Sequence, residues 1–574
     1  MARNLFSALP KSRPRADFPN GVLLAQSVSL LRSDEETAPA LVDGKIHNIR
    51  NVIKKLDGVV FRAGEVFSFW RHVGRLTRAQ GYALGRELRE GCIIPQIGSG
   101  ICQLTNAIYD AGMQAGLAAV ERHRHSQIIK GSLAELDRDA TVFWNYLDLR
   151  LKGTQNWQLQ VAMDKTHLTV SIFGETKNPV APKIRVYQAP ARLGDCTQCG
   201  RTDCHSHVGD MPAPSRKTHL GIDEDWAEFS EWRKRDMKKG DRFVSTSDHA
   251  ALTTKAINFF AKLRRRHILW MGARELRRAE KFSMRDGQHP YNWRKFPIPA
   301  AHNVRFNLIA RHFAKKLDFS DTHLVIPQPL LVWFYLNGEL AGREYDVLMS
   351  AMPMSEIEAE LDRAMSRYGY HINGGHYSTP DGNAVTLGDY RAPEFLVEAE
   401  RKALAGATKL VSPHAKILEW AGEKGEPLDW ILPDPITPQT KVDATFEIFL
   451  AGASLGRKGI FDLRAALRNL DFDFRLLLVH SAVENNNFWD GIPTCHVNSF
   501  REGIARCDVA VLPAVVEHNP GGLLLAIASQ KPVIASSACG LPENMNWQRA
   551  DDAGELERAL RQVAAATRTE SRSL

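Results

Sequence analysis

Three groups of residues have types and spacings that could do chemistry. The first is Gly98-Ser99-Gly100-Ile101-Cys102-Gln103, followed by Leu104, Ile108, Ala111 and Ala115 at helical spacing. The pattern predicts a buried helix with Cys102 in its first turn, where glycines permit tight turning and the helix N-terminus favours a thiolate. Arg122, His123 and His125 follow, then Asp139 and Asp148. A thiol, an imidazole and a carboxylate in one domain are the ingredients of nucleophilic acyl chemistry. They equally suit a structural cysteine on a packed helix and a histidine satisfied by backbone.

The second group is Cys196-x2-Cys199-x4-Cys204-His205. Three thiolates and an imidazole in one short loop suit tetrahedral zinc, with Cys196, Cys199, Cys204 and His205 as candidate ligands. Such a site would be a closed structural clip with no open position for catalysis. A Cys196–Cys199 disulfide, or free surface thiols, is the alternative.

The third group lies near the C-terminus. The strand-like Phe446 to Ala451 runs into Gly452-Ala453-Ser454-Leu455-Gly456-Arg457-Lys458-Gly459 and then a helical pattern. A strand, a loop with glycine and basic residues, and a helix start make a diphosphate site, with Arg457 or Lys458 offsetting the charge. The spacing fits neither the dinucleotide fingerprint nor a P-loop. Further on, strand-like Asp508 to Leu512 leads to Glu517-His518-Asn519-Pro520-Gly521-Gly522 and a helix over Leu523 to Ser529. This puts a carboxylate for sugar hydroxyls beside a second phosphate-binding helix start, with Asn519, Gly521 and Gly522 at the donor.

The elements that must position these groups fall into regions of different texture. Residues 15–178 mix helical and strand-like pieces and end in period-two strands, Trp157 to Ala162 and Leu168 to Phe173. Residues 179–216 form a Pro- and Cys-rich connector. Residues 217–440 and 441–566 read as α/β. In the last part, short apolar runs without alternation (Phe446 to Ala451, Phe474 to His480, Asp508 to Leu512, Pro532 to Ser536) predict strands covered on both faces, hence a parallel sheet. The tail from Ala564 to Leu574 reads as a frayed polar end.

The chain has 574 residues, 44% hydrophobic and 24% charged, which excludes a disordered or collagen-like protein and demands several domains. Its net charge of +8 is too diffuse for a specific nucleic-acid partner. The basic excess concentrates at Lys262 to Arg266 and Arg274 to Lys281, which read as solvated helix faces, with peripheral contact to anionic lipid as the alternative. The most apolar stretch, Leu324 to Leu336, is short and interrupted by prolines, so no membrane span is expected. The start has no apolar signal region, and clustered cysteines in a large chain favour a reducing compartment, so a cytoplasmic protein is expected.

Two resemblances sharpen this reading. Ala63-Gly64-Glu65-Val66-Phe67-Ser68-Phe69, Val73-Gly74, Gly81-Tyr82, the Cys102 motif, the Arg122 to Ser126 stretch, Asp139-Ala140-Thr141-Val142 and Asp148-Leu149-Arg150 occur in order. Over residues 20–176 the chain thereby resembles the VanW family, with Ser99 where the family has the middle of three glycines. By position, Cys102, Gln103, Arg122, His125, Asp139 and Asp148 become the candidate site, with a Cys102/His125 pair acting on an amide or ester of a cell-envelope precursor. Residues 444–565 resemble the C-terminal half of retaining GT-B glycosyltransferases of the family-four type, through the Lys458-Gly459 turn, Glu517-x2-Pro520-Gly521-Gly522 and Pro532 to Ser536. The resemblance assigns Glu517 to the donor sugar. The second glutamate of that family, which holds the ribose, is Leu525 here, so the resemblance leaves a pseudo-enzyme open.

The fold expected is an α+β VanW-like domain followed by a GT-B fold of two Rossmann-like α/β domains. The function expected is transfer of a hexosyl group from a nucleotide-sugar donor to a glycan or lipid-linked envelope acceptor, at the inner face of the membrane. Helix ends and basic side chains would neutralise the diphosphate, so no cofactor is required for transfer, and His376 of Gly374-Gly375-His376 would approach the donor from the acceptor side. The alternatives are a Cys102/His125-dependent acyl hydrolase or acyltransferase whose GT-B part only binds glycan, and a scaffold without activity.

Overall fold

The computed structural model describes residues 18, 21–32, 39–89, 92–125, 133–175, 182–187, 215–222, 225–245, 297–368, 376–378, 384–386, 392–439, 445–479 and 487–572. The cysteine knuckle and both basic clusters lie outside the described residues.

The first domain is built on alternation. Strands β1 (Val22–Leu30), β2 (Val59–Phe61), β8 (Trp157–Met163), β9 (His167–Gly174) and β10 (Lys183–Tyr187) form a sheet in the order β10-β1-β9-β8-β2, antiparallel except for the β1–β10 pair. Trp157, Leu159, Val161, Leu168, Val170 and Ile172 point inward against helix α1 (Pro39–Leu56), whose Ile46, Ile49, Val52 and Leu56 are buried. Burial of each such side chain contributes about 1.5–3 kcal/mol, which outweighs the local propensities. β10 falls in the stretch expected to be connector, and it extends this sheet through β1.

On β1 the inward residues are Ala25, Ser27 and Ser29, all fully buried. Small side chains there let helix α3 (Cys102–Gln114) lie close to the sheet. Short strands β3 (Val66–Ser68), β6 (Ala118–Glu121) and β7 (Arg150–Lys152) form a second sheet, helix α2 (Phe69–Val73) follows β3, and β4 (Leu84–Arg89) with β5 (Cys92–Ile97) makes a hairpin that delivers the chain to α3.

The second domain has a wholly parallel sheet of described strands, β11 (Arg216–Gly221), β12 (Arg242–Ser245), β13 (Asp321–Pro327), β14 (Glu344–Leu348), β17 (Lys409–Ser412) and β18 (Gly425–Pro427), in the order β12-β11-β13-β14-β17-β18. Helices α4 (Ala227–Asp236), α5 (Pro297–Lys316), α6 (Gln328–Leu336), α7 (Met354–Tyr368), α8 (Glu394–Gly406) and α9 (Ala415–Ala421) connect them. A ribbon of β15 (His376–Ser378) and β16 (Ala384–Thr386) stands apart from the sheet. The Leu324 to Leu336 stretch divides into the end of β13 and helix α6, the change falling at Pro327.

The third domain is a parallel sheet of β19 (Phe446–Leu450), β20 (Phe474–Val479), β21 (Thr494–Val497), β22 (Val509–Leu512), β23 (Val533–Ala535) and β24 (Gln548–Arg549), ordered β21-β20-β19-β22-β23-β24. In chain order this is 3-2-1-4-5-6, the Rossmann arrangement, whose direction reverses between β19 and β22. Helices α10 (Ile460–Arg468), α11 (Phe500–Arg506), α12 (Gly521–Ala528) and α13 (Ala553–Arg572) cover it. The expected frayed tail is instead helix: α13 runs to Arg572, anchored by fully buried Leu556, Ala559 and Leu560 and continued by residues of ordinary helix propensity. The expected order of an α+β domain and then two Rossmann-like domains is therefore the order observed. No described helix is long and apolar enough to cross a membrane.

The first two domains also touch. The Arg50 guanidinium of α1 donates from Nε to the Ala341 carbonyl, and Lys54 pairs with Glu339 at 2.6 Å. Ala341 packs onto the first domain's core.

Candidate functional sites

The turn before Cys102 places its glycines where they are needed. Gly98 (φ 73°) and Gly100 (φ 86°) hold left-handed backbone, whereas Ser99 between them does not. The serine is therefore accommodated, and its hydroxyl donates to Gln96 O at 2.8 Å. A Cβ on Gly100 would fall 2.2 Å from Cγ of Lys45, so α1 packs directly on the turn. Asn48 of α1 staples the hairpin, donating at 3.0 Å to both Ser99 O and Ala83 O and accepting from Ala83 N at 2.9 Å. Asn48 was not legible as a site residue, because its role depends on where α1 meets β4 and β5.

Cys102 is the first residue of α3 and is half-buried. Its Sγ lies 4.0 Å from Thr141 Oγ1. His125 is joined to Asp139 twice, by its backbone N–H at 2.7 Å and by ring Nδ1 at 2.8 Å, both to Oδ2. Arg122 grips the other carboxylate oxygen from Nη2 at 2.7 Å and the Asp139 carbonyl from Nε at 2.8 Å. Burial pulls the His125 pKa down, but hydrogen bonding and charge from Cys102 and then Asp139 outweigh it and lift the imidazole to about 9. Burial works against the Asp139 carboxylate as well, yet donors from His125 and the Arg122 charge hold its pKa below the usual range.

Two residues assigned by position do other work. Gln103 donates to Ser29 Oγ at 2.9 Å and Leu30 O at 2.7 Å, tying α3 to β1. Asp148 accepts from Ser68 Oγ at 2.5 Å, Trp70 N at 3.1 Å and Arg150 Nε at 2.9 Å, which fixes the start of α2.

The second constellation forms at the strand reversal of the third domain. The loop after β19 and the loop after β22 flank that crevice, where ligands of open α/β sheets bind. They touch: Val515 and Val516 N–H groups donate to Arg457 O at 3.0 and 3.2 Å. A Cβ on Gly459 (φ 75°) would fall 1.6 Å from the Pro513 carbonyl oxygen, so only glycine permits this approach. Lys458 and Glu517, both buried, form an ion pair across the crevice through Nζ and Oε2. Glu517 Oε1 accepts from the N–H groups of His518 at 2.9 Å and Asn519 at 3.2 Å. Burial, only partly offset by Glu517, lowers the Lys458 pKa.

Helices α10 and α12 begin on either side of this pair at Gly459 and Pro520, cap positions with no side-chain cap bond. Arg457 is half-buried, Gly522 is half-buried, and Asn519 and Gly521 are exposed at the start of α12. Ser454 in the same loop accepts from Trp489 Nε1 at 3.1 Å. Leu525 is not at the crevice surface: it is 8% exposed and packs in the domain core.

His414, just beyond β17, reaches this crevice from the second domain. It is fully buried, its Nε2 lies 3.0 Å from Glu517 O, and its ring packs on Gly540, where a Cβ would sit 2.1 Å away. The neighbouring Ala415 N–H donates to Gly540 O at 2.8 Å. Burial lowers the pKa of both His414 and His518 to about 4, so both are neutral at pH 7. His414 was not singled out as a site residue, although the stretch Ala407 to His414 fits the acceptor half of the GT-B resemblance. Its signal is positional, since it follows a strand of a parallel sheet whose C-terminal edge faces the crevice. His376 opens β15, opposite Thr386 of β16, in the ribbon outside the sheet. Cys196, Cys199, Cys204 and His205 lie outside the described residues, and among the described residues no group of three or more His, Cys, Asp or Glu could hold a metal ion.

Fold and sites together describe a chain with a thiol-bearing α+β domain ahead of two parallel-sheet domains, the second with a buried Lys458–Glu517 pair at its strand reversal. The family model described as VanW like protein matches residues 44–173 of the chain. Two curated proteins are similar to part of the chain. The uncharacterized protein YoaR of Bacillus subtilis is 29% identical over 148 residues, 26% of this chain and 48% of that protein. The vancomycin B-type resistance protein VanW of Enterococcus faecalis is 27% identical over 150 residues, 24% of this chain and 52% of that protein. The chain thus spans about half the length of the curated relatives it matches. Among solved structures, it is similar to the lipopolysaccharide outer core galactosyltransferase WaaB, at 9% identity over 61% of this chain and 91% of that one, with a TM-score of 0.32. It is also similar to HepE of Anabaena in complex with UDP and glucose, at 12% identity over 61% and 90%, with a TM-score of 0.33.

Proposed function

We propose that the chain is a glycosyltransferase that takes a hexosyl group from a nucleotide-sugar donor and passes it to a cell-envelope or surface glycan. The observation that carries this reading is the buried Lys458–Glu517 pair at the strand reversal, flanked by two helix starts without side-chain caps. A donor diphosphate entering there meets the N–H groups of α10 and α12, Arg457 and the Lys458 ammonium. As phosphate draws Lys458 away, Glu517 is released to accept hydrogen bonds from sugar hydroxyls. His518 and Asn519 keep it oriented through their backbone N–H groups. The departing diphosphate is stabilised where its charge develops, which is what accelerates transfer.

His414 positions Glu517 from the acceptor-side domain, so closure of the two domains and orientation of the donor sugar are coupled. Leu525 supplies no hydrogen bond to a ribose, which costs affinity of about 1.5–3 kcal/mol relative to a charged acceptor. Retention of configuration, a lipid-linked acceptor and action at the cytoplasmic face of the membrane accord with the family resemblance of residues 444–565. The test is release of nucleoside diphosphate from UDP-, GDP- and dTDP-sugars by the full-length protein in the presence of envelope glycans. Release with one nucleotide class, lost in Glu517→Gln, is expected. A folded protein that turns over none of them, and binds none, would sink the reading.

A further inference from the structure

We propose that Cys102, His125 and Asp139 form a second active centre, independent of the sugar crevice, in which the Cys102 sulfur attacks the carbonyl of an acyl ester or amide. The geometry rests on the segment Asp139–Thr141, which ties the helix bearing the thiol to the strand end bearing the histidine. On one side, Asn106 Oδ1 of α3 accepts from Ala140 N at 2.8 Å, Thr105 Oγ1 donates to Ala140 O at 2.6 Å, and Cys102 Sγ lies 4.0 Å from Thr141 Oγ1. On the other side, Thr141 N donates to His123 O at 2.8 Å, and Asp139 takes both the backbone and the ring N–H of His125. The segment Asp139–Thr141 thus binds on one side the helix that bears the sulfur and on the other the stretch that bears the imidazole.

Asp139 is the positioning residue. It is 3% exposed, and Arg122 locks it from two nitrogens while its guanidinium stacks over the Tyr109 ring of α3 at 4.9 Å. With Nδ1–H held by Asp139, Nε2 is the nitrogen left to serve the thiol. Burial alone pushes a histidine the way it pushes His414 and His518, down and toward the neutral form. His125 is shifted the other way, against its burial, by Cys102 and Asp139. Its side chain is 27% exposed and Cys102 is half-buried, so a substrate can reach both.

The step balances on these groups. His125 takes the sulfur proton, and the thiolate attacks the carbonyl carbon, forming the C–S bond as the carbonyl pair moves to oxygen. The start of α3 turns the favourable end of its helix dipole toward that developing oxyanion. Collapse breaks the bond to the alcohol or amine, which leaves with the proton from His125 Nε2. Water, or a second acceptor nucleophile, then gives its proton to His125 and attacks the thioester, and the C–S bond breaks to restore the thiolate.

The probe is p-nitrophenyl acetate on the full-length protein, read by intact mass and peptide mapping. Cys102 is expected to acquire an acetyl thioester about a hundred-fold faster than in the urea-unfolded chain, the enhancement typical of a positioned base. His125→Gln should remove most of that enhancement. Asp139→Asn should do the same and also move the His125 titration from about 9 toward its ordinary value, which a purely structural role for Asp139 would not do. Acylation of folded wild-type Cys102 no faster than in the unfolded chain would overturn the proposal, whether or not the variants fold. Equal rates in folded wild type and folded His125→Gln would overturn it too.

Discussion

Replacing Lys458 by methionine keeps the length of the side chain and removes the charge opposite Glu517. The two side chains are 11% and 9% exposed, so the carboxylate is left in a nearly dry crevice. Breaking a buried pair by deleting one partner costs about 3–5 kcal/mol, most of it the uncompensated charge. Glu517 retains its two backbone N–H donors at 2.9 and 3.2 Å, which puts this case near the low end of that range. A loss of about 3 kcal/mol is a little over two powers of ten in the constant for opening the third domain. In Lys458→Met/Glu517→Gln the charge is gone from both sides, so the double variant should be more stable than Lys458→Met alone. The chain has several domains, so a single unfolding free energy is not defined and the measurement must be local. Hydrogen exchange of the β19 and β22 amides reports it, with β8 and β9 of the first domain as unchanged reference strands. An increase in exchange below ten-fold, or a double variant no better than the single, would show that the pair is solvated and that the crevice argument is wrong.

Other perturbations have equally definite outcomes. Gly459→Ala puts a Cβ 1.6 Å from Pro513 O, so the two crevice loops must separate and nucleotide binding should be lost, whereas Gly491→Ala, with the same sign of φ and nothing within 4 Å, should cost only the backbone term of about 1–2 kcal/mol. Paired melting and nucleotide titrations of the two variants check this. His414 and His518 have folded pKa values of about 4, below the ordinary 6.5, so the stability they confer is full above pH 6.5 and is lost as pH falls through 4. Protection of the Ala415 amide, measured against its intrinsic exchange rate at each pH, should fall across that window in wild type and less steeply in His414→Gln. For His125, raised to about 9, the sign reverses: its contribution is full below pH 6.5 and disappears as pH rises through 9. An NMR titration of the His125 ring should report a value near 9 that falls in Cys102→Ala.

How much of this was legible in the sequence depends on whether the cause was local. The period-two runs and the short apolar runs found β8, β9, β19, β20, β22 and β23 to within about two residues, because burial on one or both faces writes itself into consecutive positions. The first turn of α3 was equally plain, since its glycines and its apolar face are adjacent in the chain. β10 was missed because its reason to be a strand is β1, far away in sequence. The helical tail was missed because its apolar anchors precede it. At the sites, residue types in motifs marked Cys102, His125, Asp139, Lys458 and Glu517. His414 lies in a stretch that fits the acceptor half, but its place against Glu517 follows only from where β17 ends. Asp148 shows the converse: motif order suggested chemistry, but its oxygens are committed to Ser68, Trp70 and Arg150.

The central claim is that the crevice between β19 and β22 binds a nucleoside diphosphate. Isothermal titration of the full-length protein with UDP, GDP and dTDP tests it directly, with Arg457→Ala as the variant that keeps the Lys458–Glu517 pair. The account predicts saturable one-site binding of one nucleotide class, weakened at least several-fold in Arg457→Ala. It also predicts stabilisation of the protein by about 2.7 kcal/mol at 100 times the dissociation constant. No binding by a folded protein, or binding indifferent to Arg457→Ala, would contradict it.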